Sequence, residues 1–163
     1  MVTALLDFCV GLPRQSVAAG TILIEEGQPL ANMLVLVSGS ISVERDEVPV
    51  ARVDTPGAVF GEMSAVLNKV ASATVRAKSD VEVCVIDDPL GFLTEKPGAA
   101  LAVLRITAAR LEGMTQYLVD IRHQYADRDD HLGMVDGILD TLVHHHPRAP
   151  RTGSARDPEV TAD

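Results

Sequence analysis

From residue 20 onward the apolar positions fall into short runs separated by polar or glycine-bearing breaks. Residues 21–25, 33–37 and 40–44 are β-branched or aliphatic and are bounded by Gly20, Gly27 and Gly39. Such runs, too short for helices and closed by turn residues, predict strands. After the charged turn Arg45-Asp46-Glu47 the pattern continues over 48–53, where Pro49 predicts an edge position. Residues 72–77 and 81–86 predict two more strands, joined by the turn Lys78-Ser79-Asp80. A short helical stretch, 63–67, interrupts the series. One short helix is expected over 3–10, with Thr3 as its cap. Many short strands at close spacing predict a mainly β domain with flanking α elements, a β-sandwich or barrel of jelly-roll type.

Around Pro97 the period changes to that of a helix. Leu104, Leu111, Leu118 and Tyr125 recur every seventh residue, with Thr107, Met114 and Ile121 between them. This heptad seam predicts a dimerisation helix in contact through Leu104, Leu111, Met114, Leu118 and Ile121. The plainer alternative is packing on the helix's own barrel, for which Val103 and Ile106 widen the apolar face. Gly113 in mid-helix costs about 1 kcal/mol against alanine. The run Asp127-Arg128-Asp129-Asp130 marks a break. Leu132, Val135, Ile138, Leu139 and Leu142 then predict a second amphipathic helix ending near Pro147. The expected organisation is a barrel over 1–96, a helical arm over 97–146, and a disordered tail over 147–163 with almost no apolar content.

Composition narrows the function classes. The 163 residues suit one domain and an extension. The chain is 47% hydrophobic but only 3% aromatic, without tryptophan, so its core must be aliphatic. A formal charge of −9 disfavours broad contact with nucleic acid or an anionic membrane. Cys9 and Cys84 form no CxxC pair and no disulfide framework, which fits a reducing compartment. No basic leader or membrane-length apolar run is present, and a cytoplasmic location is expected.

The candidate chemistry lies in Phe60-Gly61-Glu62-Met63-Ser64-Ala65 and, after a short gap, Ala71-Ser72-Ala73-Thr74-Val75. A helix start after Gly61 offers backbone N–H groups and the positive end of a dipole to an anion. A neighbouring carboxylate, Glu62, accepts hydrogen bonds from hydroxyl groups. The order and spacing of the glycines and of Phe60-Gly61-Glu62 resemble the cyclic nucleotide-binding domain family, over roughly residues 15–125. The resemblance implies a β-jelly-roll (double-stranded β-helix) followed by a long dimerisation helix. It implies a ligand seat at Gly61, Glu62, Met63 and Ser64, closed by Ala71, Ser72 and Ala73, with Thr115 near the base. It implies cAMP or cGMP as ligand, no required cofactor, no catalysis, and relay through the C-terminal helix.

The family pattern has arginine where this chain has Ala71. Hydrogen bonds to a charged group contribute roughly 1.5–3 kcal/mol, so loss of the guanidinium fork weakens phosphate binding about ten- to hundred-fold. Two readings therefore stand open: a regulatory sensor of a small anionic ligand, or a ligand-independent dimerisation or interaction module. Other chemistry is weaker. His144-His145-His146 point in different directions on a helix and make no closed metal site, and His123 and His131 read as solvated. No nucleophile triad or phosphate-cradling glycine loop is present. No basic recognition helix follows the long helix, so direct DNA binding is not expected.

Overall fold

The computed structural model describes residues 4–124 together with 137, 138 and 142. The chain divides into two compact units, Met1–Ala108 and Ala109–Asp163.

In the first unit, α1 (Ala4–Asp7) precedes β1 (Arg14–Val17), β2 (Ile22–Ile24), β3 (Met33–Ser38), β4 (Ile41–Arg45), β5 (Val48–Val53) and β6 (Val59–Phe60). Then come α2 (Glu62–Leu67), β7 (Thr74–Ala77), β8 (Val81–Ile86), α3 (Pro89–Glu95) and the start of α4 (Pro97–Gln124). The strands make two four-stranded antiparallel sheets, ordered β1-β8-β3-β6 and β2-β7-β4-β5. This is the jelly-roll-like architecture that the short apolar runs predict.

The two sheets differ because their faces meet different solvents. In β3, Leu34 and Leu36 enter the core between the sheets, whereas Met33 and Val35 enter a second core beneath the helices. β8 divides in the same way, with Val81 and Val83 on one side and Cys84 and Ile86 on the other. A strand covered on both faces has little polar side, so both strands are mostly apolar, with only Ser38 in β3 and Glu82 in β8 as polar residues. The other sheet alternates: Ile41 and Val43 pack inward, while Glu44 receives Arg76 Nε at 3.3 Å. β5 forms an edge of that sheet, as Pro49 requires, and it is exposed along most of its length.

The helical core joins Leu5 of α1, Phe92 of α3, and Ala99, Ala102 and Val103 of α4 to the outer face of the first sheet, with Ile106 packed against it. Val103 and Ile106 thus take the barrel-packing role. Lys96 Nζ donates to the Phe8 carbonyl at 3.1 Å and stands over the Phe92 ring. Cys9 and Cys84 are buried in this core as free thiols. Burial, then the neighbouring Cys84, pushes the Cys9 thiol up to about 12. Cys9 therefore behaves as a small apolar group rather than a nucleophile.

Several elements depart from the sequence-based expectation. The first helix is shorter, Ala4–Asp7, and turns follow it. β7 begins at Thr74 rather than residue 72. β1, β6 and α3 are additional. Asp88 caps α3, its Oδ1 accepting from the Gly91 amide at 3.0 Å, and Pro89 occupies the first turn. Asp88→Ala is expected to cost about 1 kcal/mol, read as a lower denaturant midpoint at unchanged slope.

The second unit contains the remainder of α4. Leu111, Met114 and Tyr117 are exposed there, and Leu118 and Ile121 are half-buried. Thr3, the tail and most of the expected helix over 132–142 lie outside the described residues, as do His131 and the three consecutive histidines.

Candidate functional site

The site begins where β6 ends. Val59 and Phe60 are both buried, one in each core, and they anchor the chain before it turns. Gly61 then adopts φ +86, the left-handed region that favours glycine. A Cβ there would lie 2.7 Å from Leu30 Cδ2 and 3.0 Å from the Asn32 carbonyl oxygen. Both the backbone turn and the close approach of the 30–32 segment therefore require glycine. The helix opens one residue earlier than expected, at Glu62, and Gly61 supplies no side-chain cap to its amides.

Glu62 is 4% exposed and has a bonding partner. Its side chain is therefore withdrawn from solvent. Ser64 is buried too, and its hydroxyl donates to the Val70 carbonyl at 3.4 Å. The Ser64 carbonyl accepts from Lys69 N at 3.1 Å and from the amide of Asn68, whose left-handed conformation ends α2. Met63 points outward and is exposed.

Ala71 is 3% exposed and belongs to the core between the sheets. Its N–H donates to Gln28 O at 2.9 Å, and its carbonyl accepts from Gly27 N at 2.8 Å. Both backbone groups are thus committed to the 27–28 turn and neither is free for a ligand. Ser72 is exposed and Ala73 half-buried. Thr74 Oγ1 accepts from Glu26 N at 3.1 Å, which ties the start of β7 to the same turn. Lys69, the cation nearest Ala71 in sequence, lines an outer groove with Asp87 and Leu90. Arg76 is paired with Glu44.

The segment from Gly61 to Ser64 and that from Ala71 to Ala73 are therefore the two ends of one short excursion, which leaves the first sheet and returns as β7 of the second. Thr115 belongs to the second unit, where its hydroxyl donates to the Leu111 carbonyl at 2.9 Å. Sequence reasoning did not find Gln28, Leu30 or Asn32, whose contacts hold the excursion in place. Gly27 and Gln28 carry a turn signal, but nothing local pairs them with Ala71. Among the described residues no group of three or more His, Cys, Asp or Glu is placed to hold a metal ion. Among the same residues no helix is long and apolar enough to cross a membrane.

Residues 14–89, which contain both ends of the excursion, match the cyclic nucleotide-binding domain family. This segment is a cyclic nucleotide-binding-like domain. Domains of that family are non-catalytic regulatory modules. No curated protein matches the sequence. Among solved structures, the Thermus thermophilus catabolite activator protein is 18% identical with a TM-score of 0.62, over 86% of this chain and 81% of that one. The N-terminal domain of a transcriptional regulator from Streptomyces coelicolor A3(2) is 25% identical with a TM-score of 0.51, over 69% and 82%. cAMP-bound PfPKA-R is 23% identical with a TM-score of 0.54, over 68% of this chain. The chain spans only 37% of that structure's length. The likenesses to the Thermus and PfPKA-R structures show the fold alone.

Proposed function

We propose that this protein is a regulatory sensor whose short α2 excursion receives a small ligand with an anionic group and neighbouring hydroxyls, cAMP or cGMP being the leading candidates. The observation that carries this reading is the pairing of a helix start at Gly61 that has no side-chain cap with a buried glutamate at Glu62. The amides and helix dipole favour the anion, and the carboxylate favours a ribose hydroxyl. Ser64, Ser72 and Ala73 supply small residues around the seat, and Met63 is a further proposed contact. Binding tightens α2 and shifts the packing of α4, so the signal passes by a change in population rather than by catalysis.

Calorimetry with cAMP and cGMP tests it directly. A dissociation constant tighter than about 10 μM supports the sensor. Absence of heat and of any thermal shift at millimolar nucleotide leaves a ligand-independent interaction module. That second reading has its own supporting observation: Ala71 provides no charge, and its backbone is committed to Gly27 and Gln28.

Either reading uses α4 for assembly. Leu104, Leu111 and Met114 present large exposed apolar groups at heptad spacing, with Leu118 and Ile121 continuing the seam. We assign these residues to a homodimer contact. Combining Leu111→Lys with Met114→Lys is expected to weaken the dimer at least about a hundred-fold, from the apolar burial lost on two helices. Sedimentation velocity measures this. A variant that sediments as the parent dimer would place the contact elsewhere.

A further inference from the structure

A groove of about 450 Å³ lies on the outer side of α2, between that helix, the Pro29–Ala31 loop and the start of α3. Its apolar lining includes Leu30, Ala65, Val70, Pro89 and Leu90. Val70 and Leu90 are each more than half exposed. Met63, Val66 and Leu67 add exposed apolar groups on α2 itself. Large aliphatic side chains grouped in this way on a water-facing surface mark an interaction site.

The charges of the groove choose the occupant. Asp87 and Asp88 both line it where α3 begins. Asp88 gives one oxygen to the Gly91 amide, and neither aspartate has an ion-pair partner among the described residues. Lys69, also in the lining, has no such partner either. The chain as a whole carries −9. A cationic segment is therefore drawn to the two aspartates at this end of the groove.

We infer that the groove is a docking site for a basic amphipathic segment of a partner protein, which places an aliphatic side chain against Val70 and Leu90 and a lysine or arginine against Asp87 and Asp88. The inference does not rest on nucleotide binding. It supplies a partner surface whose walls belong to α2 and α3 together, so a shift of α2 alters the width of the groove.

The test uses the full chain without nucleotide and two labelled 14-residue helical peptides. One is built from leucine and lysine, the other from leucine and glutamate at the same spacing. Fluorescence anisotropy is expected to show binding of the leucine–lysine peptide at least ten-fold tighter than that of the leucine–glutamate peptide. Leu90→Ser and Asp87→Asn, both at exposed positions, are each expected to weaken it at least five-fold at unchanged Tm. Amide shifts should centre on Leu30, Val70 and Leu90. Equal binding of the two peptides, binding that survives both substitutions, or shifts centred on another face would overturn the inference. Self-association of the peptide-free protein that Leu90→Ser abolishes would also overturn it, in favour of a second copy.

Discussion

Ala71→Arg is expected to raise cyclic nucleotide affinity at least ten-fold. The substitution places a planar, permanently charged fork at the end of the excursion that begins with α2. Charge-assisted hydrogen bonds contribute roughly 1.5–3 kcal/mol, which corresponds to about ten- to hundred-fold in dissociation constant. The structure adds a second expectation. Ala71 is buried in the core between the sheets, and its backbone is fixed to Gly27 and Gln28 on both sides. The new side chain therefore starts from an anchored, enclosed position, and without an anion its charge is incompletely solvated. The variant should melt below the parent in plain buffer and gain more from added nucleotide than the parent does. Calorimetry and thermal unfolding, run with and without cAMP, read both effects. A folded variant with unchanged affinity would mean that position 71 does not face the ligand, and the sensor reading would lose its geometric basis.

The largest loss of stability is expected from Gly39→Ala, at the turn between β3 and β4. Gly39 has φ +95, and an added Cβ would fall on the Asp80 carbonyl oxygen, 2.6 Å from Val81 Cγ1 and 2.9 Å from Val81 Cα. Two of those three neighbours are backbone atoms on the turn into β8, which cannot swing aside as a long side chain would. Left-handed strain costs roughly 1–2 kcal/mol, and overpacking typically adds about 1–3 kcal/mol. A combined cost of about 2–5 kcal/mol lowers Tm by something on the order of 10–20 °C in a domain of this size. Differential scanning calorimetry measures it. A drop of less than about 3 °C would show that the turn relaxes freely and that the two sheets are not locked at this point.

Most of the barrel was legible in the sequence for one physical reason: strands buried on one or both faces must be apolar. Residues 33–38 and 81–86 announce themselves because two cores claim their alternate side chains. β1 escaped because Arg14-Gln15-Ser16-Val17 buries a single residue and carries almost no apolar signal. β6 escaped because two residues are too few for any periodicity. α3 was signalled by Asp88 followed by Pro89, a cap and a first-turn proline, but the stronger pattern after Pro97 masked it.

The site was legible in part. Phe60-Gly61-Glu62 marked the excursion, because a tight turn, a carboxylate and a helix start are local properties. The burial of Glu62 and the double backbone bond of Ala71 are not local. The Ala71 bonds and the close approach at Gly61 depend on the 27–32 segment, which lies far away in the chain and is brought close by the pairing of β2 with β7 and of β3 with β6.

The division of the chain also separates its chromophores. Phe8, Phe60 and Phe92 lie in the first unit, and both tyrosines, Tyr117 and Tyr125, lie in the second. Tyrosine emission from this tryptophan-free chain therefore originates in the second unit. A tyrosine signal that responds to an effector added at the barrel would be an internal reporter of communication along the molecule, with no label attached.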